Sequence, residues 1–432
     1  MEFANRTGDY AWRRAPGFSG LITLCPDSVS EELPFKTVFL RTRRELARLA
    51  VEVCFLPSYA PKQSLAALLA ARSLGVRTVM MNESHAGTAR ASGAAALAKR
   101  WLVGLFHAAL VGGNPQKRYF ASMGLPGDRI FTGYDAVDND YFARRAEEVR
   151  GQRSEVRGRY GLPEHYFLSL GRFIAKKNLG TLIRAYGEFL NASSVRQTHL
   201  VMVGSGEEEQ TLRSLCTGLQ LPIYDHSTLD ASRSTLRPDA PGVHFYGFRQ
   251  IEENPVFYAL ADAFILPSLY EEWGLVVNEA MASGLPVVVS ETAGCAEDLL
   301  EPGWPAVPDH SSSDTLRALG RIGGRMRKNG FVFDPQSPGT LAGTLLALGS
   351  VPALPHAMGQ ASRRIVEKFS CENFSRNALM AARAALGKGP VFQAEAAPGP
   401  VRTGAAAGKM PVLLGRTQSK EGPSPLLPPP HV

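Results

Sequence analysis

Short apolar segments alternate with segments of helical periodicity along most of the first 300 residues, and this alternation constrains the fold more than any other feature. The runs VEVCFLPS, VRTVMMNES and AALVGG are typical of strands, and the segment PKQSLAALLAARSLG has the 3.6-residue period of a helix. A strand that is apolar along its whole length is buried on both faces, as in a parallel sheet covered by helices. The sequence therefore predicts an α/β protein with parallel sheets.

The same alternation resumes after a charged stretch at 143–160, which reads as a linker or a connecting helix. Strands are predicted at YFLSLGR, HLVMVGSG, VHFYGF and DAFILPS. A chain of 432 residues is too long for one compact core. We predict a first domain at 1–150, a second domain at 151–371, and a disordered tail at 387–432 that is rich in Ala, Gly and Pro.

The formal net charge is +7 and is unevenly distributed. Residues 1–150 hold 20 Lys and Arg against 14 Asp and Glu, or +6, and residues 151–386 hold 22 against 24, or −2. The basic first part fits an acidic substrate, an anionic membrane surface or a solvated surface without a partner, and these alternatives stay open. No nucleic-acid-binding motif accompanies the charge, so we expect no nucleic-acid partner.

Cysteine usage and hydropathy indicate a cellular compartment. Five cysteines are scattered without a CxxC pair or a metal-ligand spacing, which is typical of a reduced cytoplasmic protein. No signal peptide is evident, and no apolar run reaches the roughly 18 residues of a membrane span. We expect a cytoplasmic protein, with peripheral contact at the inner face of the membrane left open.

The stretch YEEWGLVVNEAMASGLPVVVS, residues 270–290, places two carboxylates at a strand edge. The strand DAFILPS ends at Ser268, so Glu271 lies on the loop where parallel sheets bind ligands. A helix is predicted from about Gly274, and its first N–H groups attract anions. Glu279 lies about one turn into that helix. Carboxylates beside a phosphate-binding helix start are suited to the hydroxyl groups of a sugar or a ribose.

This stretch resembles the E-x7-E motif of the retaining GT-B glycosyltransferases of family 4 (glycosyl transferases group 1). The resemblance implies that Glu271 contacts the donor sugar and that Glu279 binds the ribose of the nucleotide. It also implies that the helix start at Gly274, Leu275 and Val276 lies against the donor.

Two further segments resemble the same family. In LSLGRFIAKKNLGTLIRAY the resemblance implies that Arg172 and Lys177 clamp the donor diphosphate, with Lys176 as an alternative to Lys177. Two cations at a strand's carboxyl edge suit pyrophosphate and a developing leaving-group charge. In VMVGSGEEEQTL, Gly204 and Gly206 are expected to let the backbone approach the donor.

The segment VHFYGF resembles the strand before the family's base-binding loop. Phe248 and Arg249 are therefore expected near the nucleobase, with plain packing as the alternative. The segment ENFSRNALMAARAAL resembles the last helix of the family, which implies a helix at 372–386 that returns to the first domain.

The resemblance covers about residues 36–386 and is weakest in the first domain. The family opens with a strand and a Gly-rich loop, and no such unit is found before Thr7, so we expect an incomplete first domain or a misplaced chain start. The strand before MMNESHAG points to His85 and Glu83 as acceptor-side candidates, with a loop histidine of no function as the alternative. The segment AKRWLVGLFHAALVGG is predicted as a core helix, with an interfacial membrane helix as the alternative.

The tetrapeptide VDND places Asp138 and Asp140 in a DxD spacing. GT-B enzymes of this kind use no DxD-bound metal, so the resemblance implies no metal and no cofactor besides the donor substrate.

The predicted protein is an α/β enzyme of the GT-B class, with two Rossmann-like domains whose parallel sheets face a central cleft. The predicted reaction moves a sugar, with retention, from a nucleotide-diphosphate sugar to a glycan, lipid-linked or small-molecule acceptor, as in polysaccharide biosynthesis. The alternatives are a sugar-nucleotide epimerase on the same fold and a non-catalytic sugar-nucleotide-binding or assembly protein.

Overall fold

The computed structural model describes residues 2–6, 21–89, 93–192, 197–227, 240–306 and 323–389. The predicted tail lies outside the described residues from 390 onward, as does the segment 7–20.

Strands and helices occupy the segments that the alternating pattern predicts. The strands are β1 (Glu2–Arg6), β2 (Thr23–Val29), β3 (Val53–Leu56), β4 (Arg77–Asn82), β5 (Ala108–Val111), β6 (Ile130–Phe131), β7 (Tyr166–Leu170), β8 (His199–Val203), β9 (Ile223–Asp225), β10 (Val243–Phe245), β11 (Ala263–Leu266), β12 (Val287–Ser290), β13 (Arg325–Arg327) and β14 (Gly330–Phe333). The helices are α1 (Phe35–Arg48), α2 (Lys62–Ser73), α3 (Gly93–Val103), α4 (Asn114–Ser122), α5 (Asn139–Gly151), α6 (Arg153–Tyr160), α7 (Leu179–Leu190), α8 (Glu209–Gly218), α9 (Asn254–Leu260), α10 (Leu275–Ala282), α11 (Ala296–Leu299), α12 (Pro338–Ser350), α13 (Ala353–Val366) and α14 (Cys371–Ala385). The charged stretch at 143–160 is thus helical, in α5 and α6.

The chain divides into two compact units, and the first comprises residues 1–81, 98–109 and 380–432. Its strands β1 and β2 pair in parallel, and α1 packs on α2 around a small core that includes Leu24 and Val38. The structure therefore has a strand before Thr7, where the sequence analysis found none, because EFANR lacks an apolar run. Whether the opening unit of the first domain is incomplete stays a prediction, as do the predicted domain boundaries.

The second unit comprises residues 82–97 and 110–379 and contains an eight-stranded sheet. The strand order is β13-β14-β12-β11-β7-β8-β10-β9, and neighbouring strands are parallel except β13 and β14. In the first unit, β3 and β4 also pair in parallel. The prediction of an α/β fold with parallel sheets is confirmed.

Two hydrophobic cores lie on opposite faces of the eight-stranded sheet. In β8, Val201 and Val203 belong to one core, and Leu200 and Met202 belong to the other. The strands β7, β11 and β12 divide in the same way, because successive side chains of a strand point to opposite faces. Helices must therefore cover both faces, which explains the continuous apolar runs of the sequence.

The central strand β7 marks a reversal in the order of the sheet. From β7 the chain continues to β8 on one side, and it later returns to place β11 on the other side of β7. A reversal of this kind leaves a crevice beyond the carboxyl ends of the two strands, which is where open α/β sheets bind ligands. The loops after Leu170 and Leu266 are therefore the place to look for a functional site.

Helix α3 differs from its predicted burial. Leu97 is 69% exposed and Trp101 is 65% exposed, although Val103 and Phe106 are buried. The prediction of a core helix is therefore wrong for the middle of α3, where the apolar side chains face solvent.

Among the described residues no single helix has both the length and the apolar character of a membrane span. Two consecutive helical segments, Pro338–Ser350 and Ala353–Ala385, have that length and apolar character only when they are taken together, and the chain bends by 103° between them.

Candidate active site

The loop after β7 carries the predicted phosphate-binding cations. Arg172 is exposed two residues after the strand, and Lys177 ends a short 3-10 turn at Ala175–Lys177. Asn178 follows in the left-handed region and donates hydrogen bonds of 3.1 Å to the carbonyl of Pro267 and 2.8 Å to that of Pro335. The turn is thus fastened to the loop after β11, which brings the two loops of the crevice together.

Glu271 lies in the loop after β11 and is 7% exposed. The ammonium group of Lys177 donates a hydrogen bond to its Oε2 atom, to which the hydroxyl of Ser268 also donates, at 3.2 Å. Lys176 Nζ lies 3.4 Å from Oε1 of the same carboxylate. The structure therefore brings Glu271 and Lys177 together, as a phosphate-and-sugar site would require.

Lys176 also forms an ion pair of 2.9 Å with Glu272. Burial lowers the pKa of Lys176, but its contacts with Glu272 and Glu271 outweigh the burial, so that its pKa stands above the ordinary value. Sequence reasoning treated Lys176 only as an alternative to Lys177, whereas here both lysines contact Glu271.

The start of α10 has the geometry of an anion site. Gly274 has a φ of +105°, and a Cβ atom there would lie 2.9 Å from Leu266 Cδ2. Leu275 is exposed and Val276 is half-buried, and the first N–H groups of a helix have no partners within the helix. The start of a helix suits an anion, and the contact of Gly274, Leu275 and Val276 with a donor phosphate stays a prediction.

Glu279 is held inside the protein by two donors. Its Oε2 atom accepts a hydrogen bond of 2.9 Å from the hydroxyl of Tyr258 and one of 3.4 Å from the amide of Asn254. Burial raises the pKa of Glu279 to about 7, although these two hydrogen bonds lower it. The carboxyl group therefore changes its charge near neutral pH.

Gly204 and Gly206 allow two loops to touch. A Cβ atom on Gly204 would lie 1.9 Å from the carbonyl oxygen of Gly171, and one on Gly206 would lie 2.3 Å from that of Phe173. The loop after β8 thus packs on the loop that carries Arg172. This packing explains the glycines, and their contact with a donor stays a prediction.

The segment after β10 holds Phe248 and Arg249. Phe248 is 36% exposed, and the guanidinium of Arg249 donates a hydrogen bond of 2.9 Å to the carbonyl of His226. Arg249 also lies near Glu253, at 3.9 Å. The role of both residues at a nucleobase stays a prediction.

His85 and Glu83 occupy different surroundings. His85 is 7% exposed, and its Nε2 atom lies 2.9 Å from the carbonyl oxygen of Glu271. Glu83 lies beside the buried Asp135. The pKa of Asp135 is raised well above its ordinary value, mainly by burial and further by the Glu83 carboxylate. Their role toward an acceptor stays a prediction.

Asp138 has a local structural role. Its Oδ1 atom accepts a hydrogen bond of 2.9 Å from the N–H of Tyr141 and so caps α5. Within the described ranges, no group of three or more His, Cys, Asp or Glu side chains is arranged to hold a metal.

Sequence reasoning missed several residues that support the site. Tyr258, Asn254 and Ser268 contact the two motif carboxylates, and Gln116 contacts the backbone of Glu272. Asn254 and Tyr258 are four residues apart on α9 and therefore lie on the same face of the helix. Two polar side chains at this spacing within an apolar segment are the sequence signal that could have identified them. No local signal identifies Gln116.

Comparison with known proteins matches part of the chain to a known family model. Residues 164–349 match the family model described as glycosyl transferases group 1. The matched segment is less than half of the chain, and it resembles a group 1 glycosyltransferase domain. It contains β7, β11 and α10 and therefore Arg172, Lys177, Glu271 and Glu279, whereas His85 and Gln116 lie before it.

Two curated relatives illustrate the extent of the similarity. The O-antigen chain mannosyltransferase B of Escherichia coli is 30% identical over 199 residues, which are 45% of this chain and 46% of the relative. A GDP-mannose-dependent alpha-(1-6)-phosphatidylinositol monomannoside mannosyltransferase of Mycobacterium tuberculosis is 28% identical over 295 residues, 66% of this chain and 69% of that protein. The chain spans about half the length of the first curated relatives it matches: 44% of a Methanocaldococcus jannaschii protein and 46% of the Escherichia coli protein.

Solved structures establish the fold. A glycosyltransferase of Rickettsia africae superposes with a TM-score of 0.59 at 15% identity, covering 84% of this chain and 85% of the other. The Anabaena protein HepE, solved in complex with UDP and glucose, superposes with a TM-score of 0.58 at 17% identity, covering 82% and 85%. The chain has the GT-B fold, which confirms the predicted fold class.

Proposed function

We propose that this protein transfers a sugar from a nucleotide-diphosphate sugar to an acceptor, with retention of configuration at the anomeric carbon. The observation that carries the proposal is the meeting of Lys177, from the loop after β7, with Glu271, from the loop after β11, at the crevice where the strand order reverses. A cation and a carboxylate at that place suit a molecule that has a diphosphate at one end and sugar hydroxyls at the other.

In the proposed complex the donor lies in the crevice, where positively charged groups of the protein meet its negative charges. Arg172, Lys177 and the helix start at Gly274 meet the diphosphate, while Glu271 accepts hydrogen bonds from the donor sugar. Glu279 receives the ribose hydroxyls, and Phe248 and Arg249 lie toward the base. Because Lys177 is paired with Glu271, an incoming diphosphate competes for that ammonium group.

The chemical step breaks the bond between the anomeric carbon and the β-phosphate oxygen and forms a bond from the same carbon to the acceptor oxygen. The proton of the acceptor hydroxyl passes to the departing phosphate. The phosphate leaves from the same face of the sugar on which the acceptor oxygen bonds. Arg172, Lys177 and the N–H groups of α10 stabilise the charge that develops on the leaving group. Glu271 is engaged by lysines and serves as a hydrogen-bond acceptor in this scheme rather than as a nucleophile.

The names of the relatives suggest which donors to test first. One similar protein is named as GDP-mannose-dependent, and a structural neighbour was solved with UDP-glucose. GDP-mannose and UDP-glucose are therefore the first donors, and glycan, lipid-linked and small-molecule acceptors form the acceptor panel.

We also propose a cytoplasmic location with peripheral contact at an anionic membrane surface. Helix α1 buries Val38 and Leu46 in the first unit and exposes its other face. The exposed face carries Lys36, Leu40, Arg43 and Arg44. A basic face with an exposed leucine suits lipid headgroups. Sedimentation with phosphatidylserine vesicles, lost with Arg43→Glu plus Arg44→Glu, supports this contact, and equal sedimentation of both chains contradicts it.

Transfer assays with this panel, read by NMR at the anomeric carbon of the product, test the proposed reaction. We expect a product with the donor's anomeric configuration. Inversion would contradict the mechanism, and release of an epimerised sugar without acceptor would identify an epimerase. Donor binding without any transfer or turnover would favour a non-catalytic binding protein.

A further inference from the structure

The backbone of Glu271 and Glu272 is held by two side chains that come from distant parts of the sequence. His85 contacts the carbonyl oxygen of Glu271 at 2.9 Å, and Gln116 contacts that of Glu272 at 2.8 Å. We propose that His85 and Gln116 are positioning residues, which fix the Glu271 carboxylate against the donor sugar. This inference rests on the proposed function.

The contacts of His85 set the tautomer of its neutral ring. The N–H of Gly87 donates a hydrogen bond of 3.2 Å to Nδ1, so the neutral ring carries its proton on Nε2. That Nε2–H therefore donates to the carbonyl of Glu271, which also accepts from the N–H of Gly294 at 3.0 Å. Both ring nitrogens of His85 are used by the protein, which favours a positioning role over contact with an acceptor.

Gln116 is fully buried in the first turn of α4 and has both ends of its amide engaged. Its Oε1 atom accepts a hydrogen bond of 3.0 Å from the N–H of Gly113, which leaves Nε2 to donate to the carbonyl of Glu272. A Cβ atom on Gly294 would lie 2.6 Å from this Nε2 atom and 2.0 Å from the carbonyl oxygen of Glu272. Glycine at 294 thus makes room for the contact.

These contacts complete the fixation of Glu271 from both ends. Lys177 and Ser268 hold its carboxylate, and His85 holds its carbonyl. If the backbone contact is removed, the carboxylate can shift by a fraction of an ångström, and misplacement of about 1 Å is known to reduce rates by about 100-fold. The ribose carboxylate Glu279 accepts its hydrogen bonds from α9 and is not held by His85 or Gln116, so the nucleotide part of the site should be unaffected.

The experiment compares the affinity for a nucleotide sugar with that for its nucleoside diphosphate, using calorimetry on the full chain. The variants are His85→Ala, Gln116→Leu, Glu271→Gln and the two double variants with Glu271→Gln. Arg118→Ala is the matched control, because Arg118 lies on α4 and forms a surface ion pair with Glu297. His85→Gln is the conservative variant, since a glutamine amide can reach the carbonyl of Glu271.

We expect His85→Ala and Gln116→Leu to weaken nucleotide-sugar binding by about 10-fold and to leave diphosphate binding within about 2-fold. In the Glu271→Gln background neither change should weaken binding further, and His85→Gln should recover part of the loss. Additive losses, or equal losses for both ligands, would overturn the inference and leave the proposed function standing. A wild-type chain that binds neither ligand would overturn the proposed function and the inference with it.

Discussion

The hydroxyl of Tyr258 donates a hydrogen bond of 2.9 Å to Oε2 of Glu279, and both side chains are buried. Burial raises the pKa of this carboxyl group from 4.5 to about 7. Between pH 4.5 and about pH 7 the folded chain therefore keeps a proton on Glu279 that the unfolded chain has released. The stability that this proton contributes is present below pH 4.5 and is lost as the pH rises through about 7.

Glu279→Gln should remove this pH dependence. We expect the variant to match the wild type near pH 4.5 and to be more stable at pH 8, by about 3 kcal/mol at most, because each pKa unit corresponds to about 1.4 kcal/mol. Urea unfolding at a series of pH values measures the difference. The exposed Glu207→Gln is the control for the loss of one carboxyl group, and a pH-independent stability difference between Glu279→Gln and the wild type would contradict the assigned burial effect.

The same substitution should weaken donor binding at high pH. In the proposed donor complex the ionised carboxylate accepts hydrogen bonds from the ribose hydroxyls, and the substitution replaces a charge-assisted hydrogen bond of about 1.5–3 kcal/mol with a neutral one. We expect a loss of about 10- to 100-fold at pH 8 and a smaller loss at pH 5.5, where the wild-type group is protonated. Calorimetric titration with the donor at both pH values measures it, and equal affinities of variant and wild type at pH 8 would exclude the ribose role.

Gly204→Ala should destabilise the second unit strongly. The new methyl group would lie 1.9 Å from the carbonyl oxygen of Gly171, at a φ of +140°. We expect a loss of more than about 2 kcal/mol in the free energy of unfolding. Gly218→Ala in α8 is the matched control, since nothing lies within 4 Å of its Cβ position, and it should be neutral or stabilising by up to about 1 kcal/mol. Equal midpoints of urea unfolding for the two variants would show that the two loops do not pack closely.

Transfer should continue in the presence of EDTA, because in the proposed complex Arg172, Lys177 and the start of α10 meet the charge of the diphosphate. Asp138→Asn should also retain transfer, since asparagine caps a helix as well as aspartate does. Complete loss of transfer with EDTA, restored by Mn²⁺ or Mg²⁺, would contradict this prediction.

The sequence predicted the parts of the fold that depend on local pattern. Mostly apolar runs identified β7, β8 and β11, because each of these strands is buried on both faces. The polar segment EFANR gave no such signal, so β1 was missed. Trp101 was expected inside because periodicity shows that a helix has an apolar face but does not show whether that face has a partner.

The site was predictable where its residues share a short motif. Glu271 and Glu279 follow one strand, and Arg172 and Lys177 follow another, so their chemistry could be read from single segments. The contact between His85 and Glu271 joins residues that are 186 positions apart. Contacts of this kind depend on how the loops fold back on one another, which no local pattern of one sequence encodes.

The central claim is that a nucleotide sugar binds beyond the carboxyl ends of β7 and β11. The most direct measurement is the thermal stability of the wild type, Arg172→Ala and the control Arg184→Ala with a panel that includes GDP-mannose and UDP-glucose. A ligand at 100 times its Kd stabilises the folded state by about 2.7 kcal/mol. We predict a rise in Tm for the wild type and Arg184→Ala with at least one donor, and a much smaller rise for Arg172→Ala. A wild-type Tm that no nucleotide sugar raises, or an undiminished rise for Arg172→Ala, would contradict the claim.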